Sequence, residues 1–180
     1  MCRFVTATLP ANAPLAALDT LARAHGRQLR PLASPSVQGQ LAPGEAYFLT
    51  TPGHCDCDAP LGWARRSRTT DWDEEARKLT RKGWSAAKAA RALAQKREQA
   101  DVDAQAEARR VDTAMAKWVA FIDAMLGSGQ VRALGLLLHH YSGPLDEDIR
   151  IRERCPVKVG DALPEVLRDL DEDVLYLFHA

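Results

Sequence analysis

The run Val131–Tyr141 constrains the fold more than any other stretch, because apolar residues occupy both its odd and its even positions. A half-exposed strand would alternate apolar and polar side chains, whereas a strand covered on both faces shows this continuous pattern. The rest of the chain must therefore supply packing layers above and below this strand.

Strand-like and helix-like segments alternate before and after this run. Residues 2–9 are rich in β-branched and aromatic side chains and predict a first strand, and apolar spacing followed by Gly26 predicts a helix over 13–25. Further strands are expected at 28–32, 46–51, 149–152 and 174–178, with a short helix at 162–170.

The region 70–127 has a helical pattern throughout. Thr70 with the acidic residues behind it suits a helix start, and Gly83 ends that helix. Ser85 begins a second helix that runs to about Arg97, and a third is expected over 101–126. The third helix carries one apolar stripe that predicts burial: Val111, Met115, Trp118, Ile122 and Met125.

The element order resembles a common α+β plan. Its first part matches the ferredoxin-like β-α-β-β-α-β order. We therefore predict one α+β domain over 1–180: a ferredoxin-like βαββαβ core, an extra β-α-β at the C-terminus, and a long helical insertion at about 70–127. Within it, residues 70–110 are expected to project as a basic helical hairpin. In that plan the first strand lies between the third and fourth and runs antiparallel to both.

This strand order predicts that thiols and imidazoles from three segments meet at one sheet edge. Zn²⁺ in structural sites takes four tetrahedral nitrogen or sulfur ligands, and Asp56 and Asp58 favour a bound cation. Against zinc, a Cys-x-Cys pair is a weaker signal than two matched Cys-x-x-Cys pairs. Buried thiols that pack as small apolar groups remain the alternative. The candidate ligands are Cys2, His54, Cys55, Cys57, His139 and His140.

Thiol chemistry is a third interpretation. A reactive cysteine needs a stabilised thiolate, and Asp56 and Asp58 are expected to raise the pKa of their neighbours. The opening Met1-Cys2-Arg3 on a strand resembles class II glutamine amidotransferases, which implies Cys2 as a nucleophile once the initiator Met is lost. The glycine- and asparagine-rich substrate segments of that family are not evident. No histidine has a carboxylate partner at an orienting spacing, so no general base is assigned.

A basic surface is predicted on the helical region. Eight basic residues and no acidic one lie between Arg77 and Arg97. Tryptophans on otherwise polar helices are frequent interface anchors, so we expect contact with an acidic protein surface or a second copy of the chain. Nucleic-acid binding through the helix-turn-helix-like stretch 81–93 is the alternative. The candidate contact residues are Trp72, Arg77, Arg81, Trp84, Lys88 and Arg91.

Composition limits the functional classes. The 24 Lys and Arg residues balance the 24 Asp and Glu residues, so no overall field favours nucleic acid or membrane. The sequence has neither a secretory signal nor a run long enough to span a membrane. We therefore expect a cytoplasmic protein. The projecting polar hairpin with its tryptophans, together with the lack of a complete catalytic set, predicts a non-enzymatic interaction protein of bacterial type, such as a regulator, an adaptor or a toxin-neutralising protein.

Overall fold

The computed structural model describes residues 2–62, 70–145 and 147–180. It is a mixed α+β fold with a six-stranded sheet and one long helix. The strands are β1 (Cys2–Pro10), β2 (Arg30–Pro31), β3 (Glu45–Leu49), β4 (Ala133–Tyr141), β5 (Glu153–Lys158) and β6 (Val174–His179). The helices are α1 (Leu15–Ala24), α2 (Pro35–Gln38), α3 (Trp72–Arg81), α4 (Ala86–Gly127) and α5 (Leu163–Arg168).

The strands lie in the order β2-β3-β1-β4-β6-β5. β1 pairs antiparallel with β3, where Thr6 is opposite Leu49, and antiparallel with β4, where Cys2 is opposite Tyr141. The prediction that the first strand lies between two antiparallel neighbours is therefore confirmed. β5 is an edge strand and pairs parallel with β6.

The sheet has an apolar core on each face. Leu136 and Leu138 of β4 belong to one core, which also contains buried residues of α1, α4 and α5, while Leu137 and Tyr141 belong to the opposite core. The prediction that this strand is covered on both faces is confirmed. The five residues of the apolar stripe on α4 are all buried, as expected from their spacing.

Two predictions about the secondary structure are wrong. One continuous helix, α4, replaces the two helices expected over 85–97 and 101–126, because residues 98–100 are Glu, Gln and Ala, which are good helix formers. Residues 149–152 form no strand; the Gln40 side chain holds this segment by hydrogen bonds to Ile149 O and Ile151 N. The strand begins at Glu153 instead, and its Pro156 suits an edge position.

The chain divides into two compact units, one of residues 1–65 with 114–180 and one of residues 66–113. The first unit contains the whole sheet. The second contains α3 and the first part of α4. The single domain over 1–180 and the projecting hairpin at 70–110 stay predictions. In the described ranges, no helix has both the length and the apolar character needed to cross a bilayer.

Candidate metal centre

Three of the four cysteines meet at the start of β1. The thiol sulfurs of Cys2, Cys55 and Cys57 all lie within 4.8 Å of one another. Cys2 begins β1, and the segment after β3 continues along that strand, where the backbone N–H of Asp56 donates to Arg3 O at 2.7 Å. The antiparallel pairing of β1 and β3 thus brings together thiols that are more than 50 residues apart in sequence.

The loop that carries two of these thiols is folded around a buried cation. The Arg3 side chain is 1% exposed, and its guanidinium donates to Leu61 O at 2.9 Å and to Asp56 O at 3.0 Å, and also to Ala59 O. Backbone carbonyls of one short loop therefore solvate the positive charge. This arrangement fixes the path of residues 56–61 and, with it, the position of Cys57.

Asp56 anchors the same loop from its other side. Its carboxylate is buried and accepts hydrogen bonds from the backbone N–H of Val5 at 3.0 Å and from Thr51 Oγ1. Arg27 Nη1 forms an ion pair with it at 2.7 Å, and the Arg27 guanidinium stacks over Trp118 at 4.3 Å from the ring centroid. Because its oxygens contact these groups, Asp56 has a structural role here, whereas the sequence suggested a carboxylate that faces a bound cation.

The two loop thiols have opposite pKa shifts. The backbone N–H of Arg3 donates to Cys57 Sγ at 3.4 Å, and this bond, with a thiol hydrogen bond from Cys55 and the Arg3 charge, lowers the pKa of Cys57. For Cys55, the Cys57 backbone N–H favours the thiolate, but the thiol contact with Cys57, burial and the neighbouring sulfur charges outweigh it and raise its pKa. The expectation that nearby aspartates raise the thiol pKa is therefore wrong for Cys57, because the Arg3 backbone N–H hydrogen-bonds to its sulfur.

The thiol cluster is accessible from outside. Cys2 is exposed, and Cys55 and Cys57 are half-buried. Cys55 also lines a cavity of about 290 Å³, together with Arg27, Asp58, Lys117 and Trp118. A metal ion or a small molecule can therefore reach the sulfurs, as a binding site requires.

The three predicted histidine ligands do not join the thiols. Within the part of the chain that the structure describes, no imidazole belongs to the 4.8 Å set, and His54 is exposed beside it. His139 is opposite Phe4, which lies two residues along β1 from Cys2. Because each strand residue rises about 3.3 Å, His139 lies at a different level of the sheet from Cys2. His140 is opposite Arg3 and so points to the other face of the sheet from Cys2.

His139 instead lies in a second cluster with carboxylates. Its Nδ1 is 2.5 Å from Asp173 Oδ1 and its Nε2 is 3.0 Å from Glu147 Oε1, so an imidazolium would donate at both nitrogens. The hydrogen bond with His139 is the main cause of the lowered pKa of Glu147, helped by the backbone N–H groups of Ser142 and Gly143. The inference that no histidine has a carboxylate partner is wrong, since these partners are 8 and 34 residues away.

The residues expected to bind a partner lie on α3, on the start of α4 and in the turn between these helices. Arg77, Arg81, Lys88 and Arg91 are exposed, while Trp72 and Trp84 are half-buried. The tryptophans are covered by cations of the same unit: Lys88 Nζ lies 4.2 Å from the Trp84 ring and the Arg97 guanidinium 5.5 Å from the Trp72 ring.

Sequence reasoning missed two residues that shape the site. Arg3 is the one charged residue within the otherwise apolar and polar-uncharged segment 2–9, and an isolated charge in a buried strand signals a specific partner. Arg27, which follows Gly26 after α1, gave no comparable signal. The fourth cysteine, Cys155, lies on β5 and outside the thiol cluster.

The chain matches no protein-family model, no curated protein and no solved structure.

Proposed function

We propose that this protein binds a thiophilic metal ion, Zn²⁺, through Cys2, Cys55 and Cys57. The observation that carries the proposal is that three sulfurs from two distant segments lie within 4.8 Å of one another. Ligand sulfurs about 2.3 Å from one tetrahedral ion would be less than 4 Å apart, so only a small contraction is needed. Thiolates select soft ions such as Zn²⁺ and Cu⁺ over Mg²⁺ or Ca²⁺.

Electrostatics of the loop supports the proposal. Metal binding requires deprotonated thiols and releases protons. The lowered pKa of Cys57 makes this thiol easier to deprotonate, and an ion bound there would favour deprotonation of Cys2 and Cys55 in turn. The carbonyls that face Arg3 hold the loop in place before the ion arrives.

The test is metal stoichiometry in tag-free protein. Plasma mass spectrometry of wild-type protein equilibrated with Zn²⁺ and then gel-filtered is expected to show one ion per chain. Cys57→Ser should lose the metal. Cys155→Ser is the matched control, because it removes a thiol outside the cluster and should keep the full stoichiometry. Metal retained by Cys57→Ser, or absent from wild type, contradicts the proposal.

A second candidate function is contact with an acidic protein surface through the second unit. Arg77 and Arg81 are exposed on α3, and within the described ranges neither forms an ion pair, whereas Lys78 and Lys96 are paired with Glu75. Both arginines line a surface groove of about 660 Å³ on α3. Unpaired cations beside a groove favour an acidic partner over a purely solvated face.

Binding of polyglutamate and of duplex DNA distinguishes this candidate from nucleic-acid binding through the same cations. An acidic-protein contact predicts binding of polyglutamate that weakens by about tenfold in the double variant Arg77→Ala, Arg81→Ala. Arg109→Ala with Arg110→Ala, the same charge change elsewhere in the unit, is the control. Preferential binding of DNA would favour the nucleic-acid alternative, and a dimer in light scattering would identify a second copy as the partner.

We also infer that the order β2-β3-β1-β4 follows the ferredoxin-like plan, extended by β6 and β5. The crossover from β1 through α1 to β2 and the antiparallel pairing of β1 with β3 and β4 support this relationship. Free thiols agree with a reducing cytoplasm, which we infer to be the location of the protein.

A further inference from the structure

We propose that the cavity beside Cys55 binds a low-molecular-weight thiol that carries a carboxylate, and that the sulfur of this molecule is the fourth ligand of the metal. The inference rests on the proposed function and names the external ligand of the same site. Its support comes from the number of protein ligands, from the cavity that Cys55 lines, and from the charges in the cavity wall.

The protein supplies three ligands where Zn²⁺ takes four. Within residues 2–62, 70–145 and 147–180, the side chains whose ligand atoms share the 4.8 Å set are the three cysteines. Zinc sites with three protein ligands keep the fourth position for water or for an exogenous molecule. A soft sulfur donor suits that position next to three thiolates.

The cavity gives such a molecule a place to bind. Cys55 is at once a member of the thiol set and part of the cavity wall. The volume of about 290 Å³ is at the lower end of ligand pockets, which run from about 300 Å³ upward. It fits a molecule of the size of an amino acid or a small peptide better than a large cofactor.

The cavity wall favours a carboxylate. Three nitrogen-bearing side chains line it, His25, Arg27 and Lys117. Arg27, which stacks on the Trp118 indole, pairs with Asp56 at 2.7 Å, so these two charges compensate each other. This pairing leaves Lys117 as the cation for an incoming carboxylate, with exposed Asp58 as the remaining acid of the wall. Lys117 is exposed on α4 and can pair with an incoming anion.

Binding is a ligand exchange that needs no oxidant. The thiol of the incoming molecule loses its proton to solvent, and the resulting thiolate forms the metal–sulfur bond as the metal–water bond breaks. The carboxylate remains unchanged and pairs with Lys117. No atom changes its oxidation state in this exchange.

The experiment is calorimetry of zinc-loaded full-length protein with three probes: L-cysteine, cysteamine, which lacks the carboxylate, and L-serine, which lacks the sulfur. The proposal predicts saturable binding of L-cysteine, at least about tenfold weaker binding of cysteamine, and no binding of L-serine. Lys117→Ala should weaken L-cysteine about tenfold, while Lys158→Ala, an exposed lysine on β5, should leave it unchanged.

The outcomes separate this inference from the proposed function. If wild type holds one zinc but takes up no L-cysteine, or binds cysteamine and L-cysteine equally, the inference is wrong and the metal site stands. If wild type holds no zinc, both fail. Binding of L-cysteine to zinc-free protein with undiminished affinity would also overturn the inference, because the metal would then contribute nothing.

Discussion

The guanidinium of Arg3 and the backbone carbonyl of Asp56 are joined by two hydrogen bonds, from Nε at 3.2 Å and from Nη2 at 3.0 Å. Arg3 follows Cys2 on β1, and Asp56 lies between Cys55 and Cys57. A buried cation therefore links the strand that carries one thiol to the loop that carries the other two. The proposed metal centre depends on this link.

Replacement of Arg3 should destabilise the protein strongly. Arg3→Met removes the guanidinium that donates to the carbonyls of Asp56, Ala59 and Leu61, and each buried group left unsatisfied costs about 1 to 3 kcal/mol. We expect the free energy of unfolding in urea to fall by about 3 kcal/mol or more. Arg30→Met, at an exposed arginine on β2, should change it by less than about 0.5 kcal/mol. A loss at Arg3 no larger than at Arg30 would show that the loop does not depend on this cation.

The two loop thiols should react at different pH. Alkylation requires the thiolate, and the pKa of Cys57 is lowered, chiefly by the Arg3 backbone N–H, while that of Cys55 is raised. In metal-free protein titrated upward in pH, iodoacetamide is expected to modify Cys57 before Cys55. Tandem mass spectrometry of the peptide that contains both residues measures the order. Modification of Cys55 first would show that the Arg3 backbone N–H does not stabilise the Cys57 thiolate.

Gly62 ends the loop in a conformation that a side chain cannot share. Its φ is +61°, and an added Cβ would lie 2.7 Å from the Leu170 carbonyl oxygen. Gly26 has a similar φ of +71°, but an added Cβ there would have no atom within 4 Å. Gly26→Ala therefore measures the cost of the backbone strain without a steric clash. We expect Gly26→Ala to cost about 1 kcal/mol of unfolding free energy and Gly62→Ala about 1 to 3 kcal/mol more. Equal thermal shifts for the two variants would exclude a close approach at Leu170.

Acid should weaken the contact between Glu147 and His139. The pKa of Glu147 is below its ordinary value of 4.5, mainly because His139 hydrogen-bonds to the carboxylate. This stabilisation is complete above the ordinary pKa and is lost as the pH falls through the lowered value. Glu147→Gln should therefore lower the free energy of unfolding at about pH 7, and lower it much less at about pH 3. Unfolding in urea at the two pH values measures this difference. Exposed Glu165 on α5, changed to Gln, is the control; an equal loss for Glu147→Gln at both values would rule out a charge effect.

Much of the fold was predictable because its signals are local. Apolar periodicity identified the buried stripe of α4, and the continuous apolar run identified β4 as covered on both faces. Residues 98–100 contain neither Gly nor Pro, so no local signal ends the helix between the two helices predicted there, and α4 runs through them. The strand expected at 149–152 lies at Glu153–Lys158 instead, because Pro156 and charged neighbours obscure the pattern of an edge strand in a parallel pair.

The site was predictable only as far as strand order determines it. The antiparallel neighbours of β1 were enough to bring Cys2 to Cys55 and Cys57. His139 and His140 lie outside the thiol set because pairing register, rather than strand order alone, decides which face and which level of the sheet a residue occupies. No sequence pattern marks Asp173 and Glu147 as partners of His139, since the contacts depend on side-chain positions brought together by loops.

X-ray absorption spectroscopy of the zinc-loaded protein tests the metal centre most directly, because it counts the atoms bound to the ion. The expected shell has three protein sulfurs at about 2.3 Å and one lighter ligand, and Cys57→Ser is expected to hold no zinc. A shell of nitrogen and oxygen atoms alone, in protein whose Cys155→Ser variant behaves identically, would contradict it.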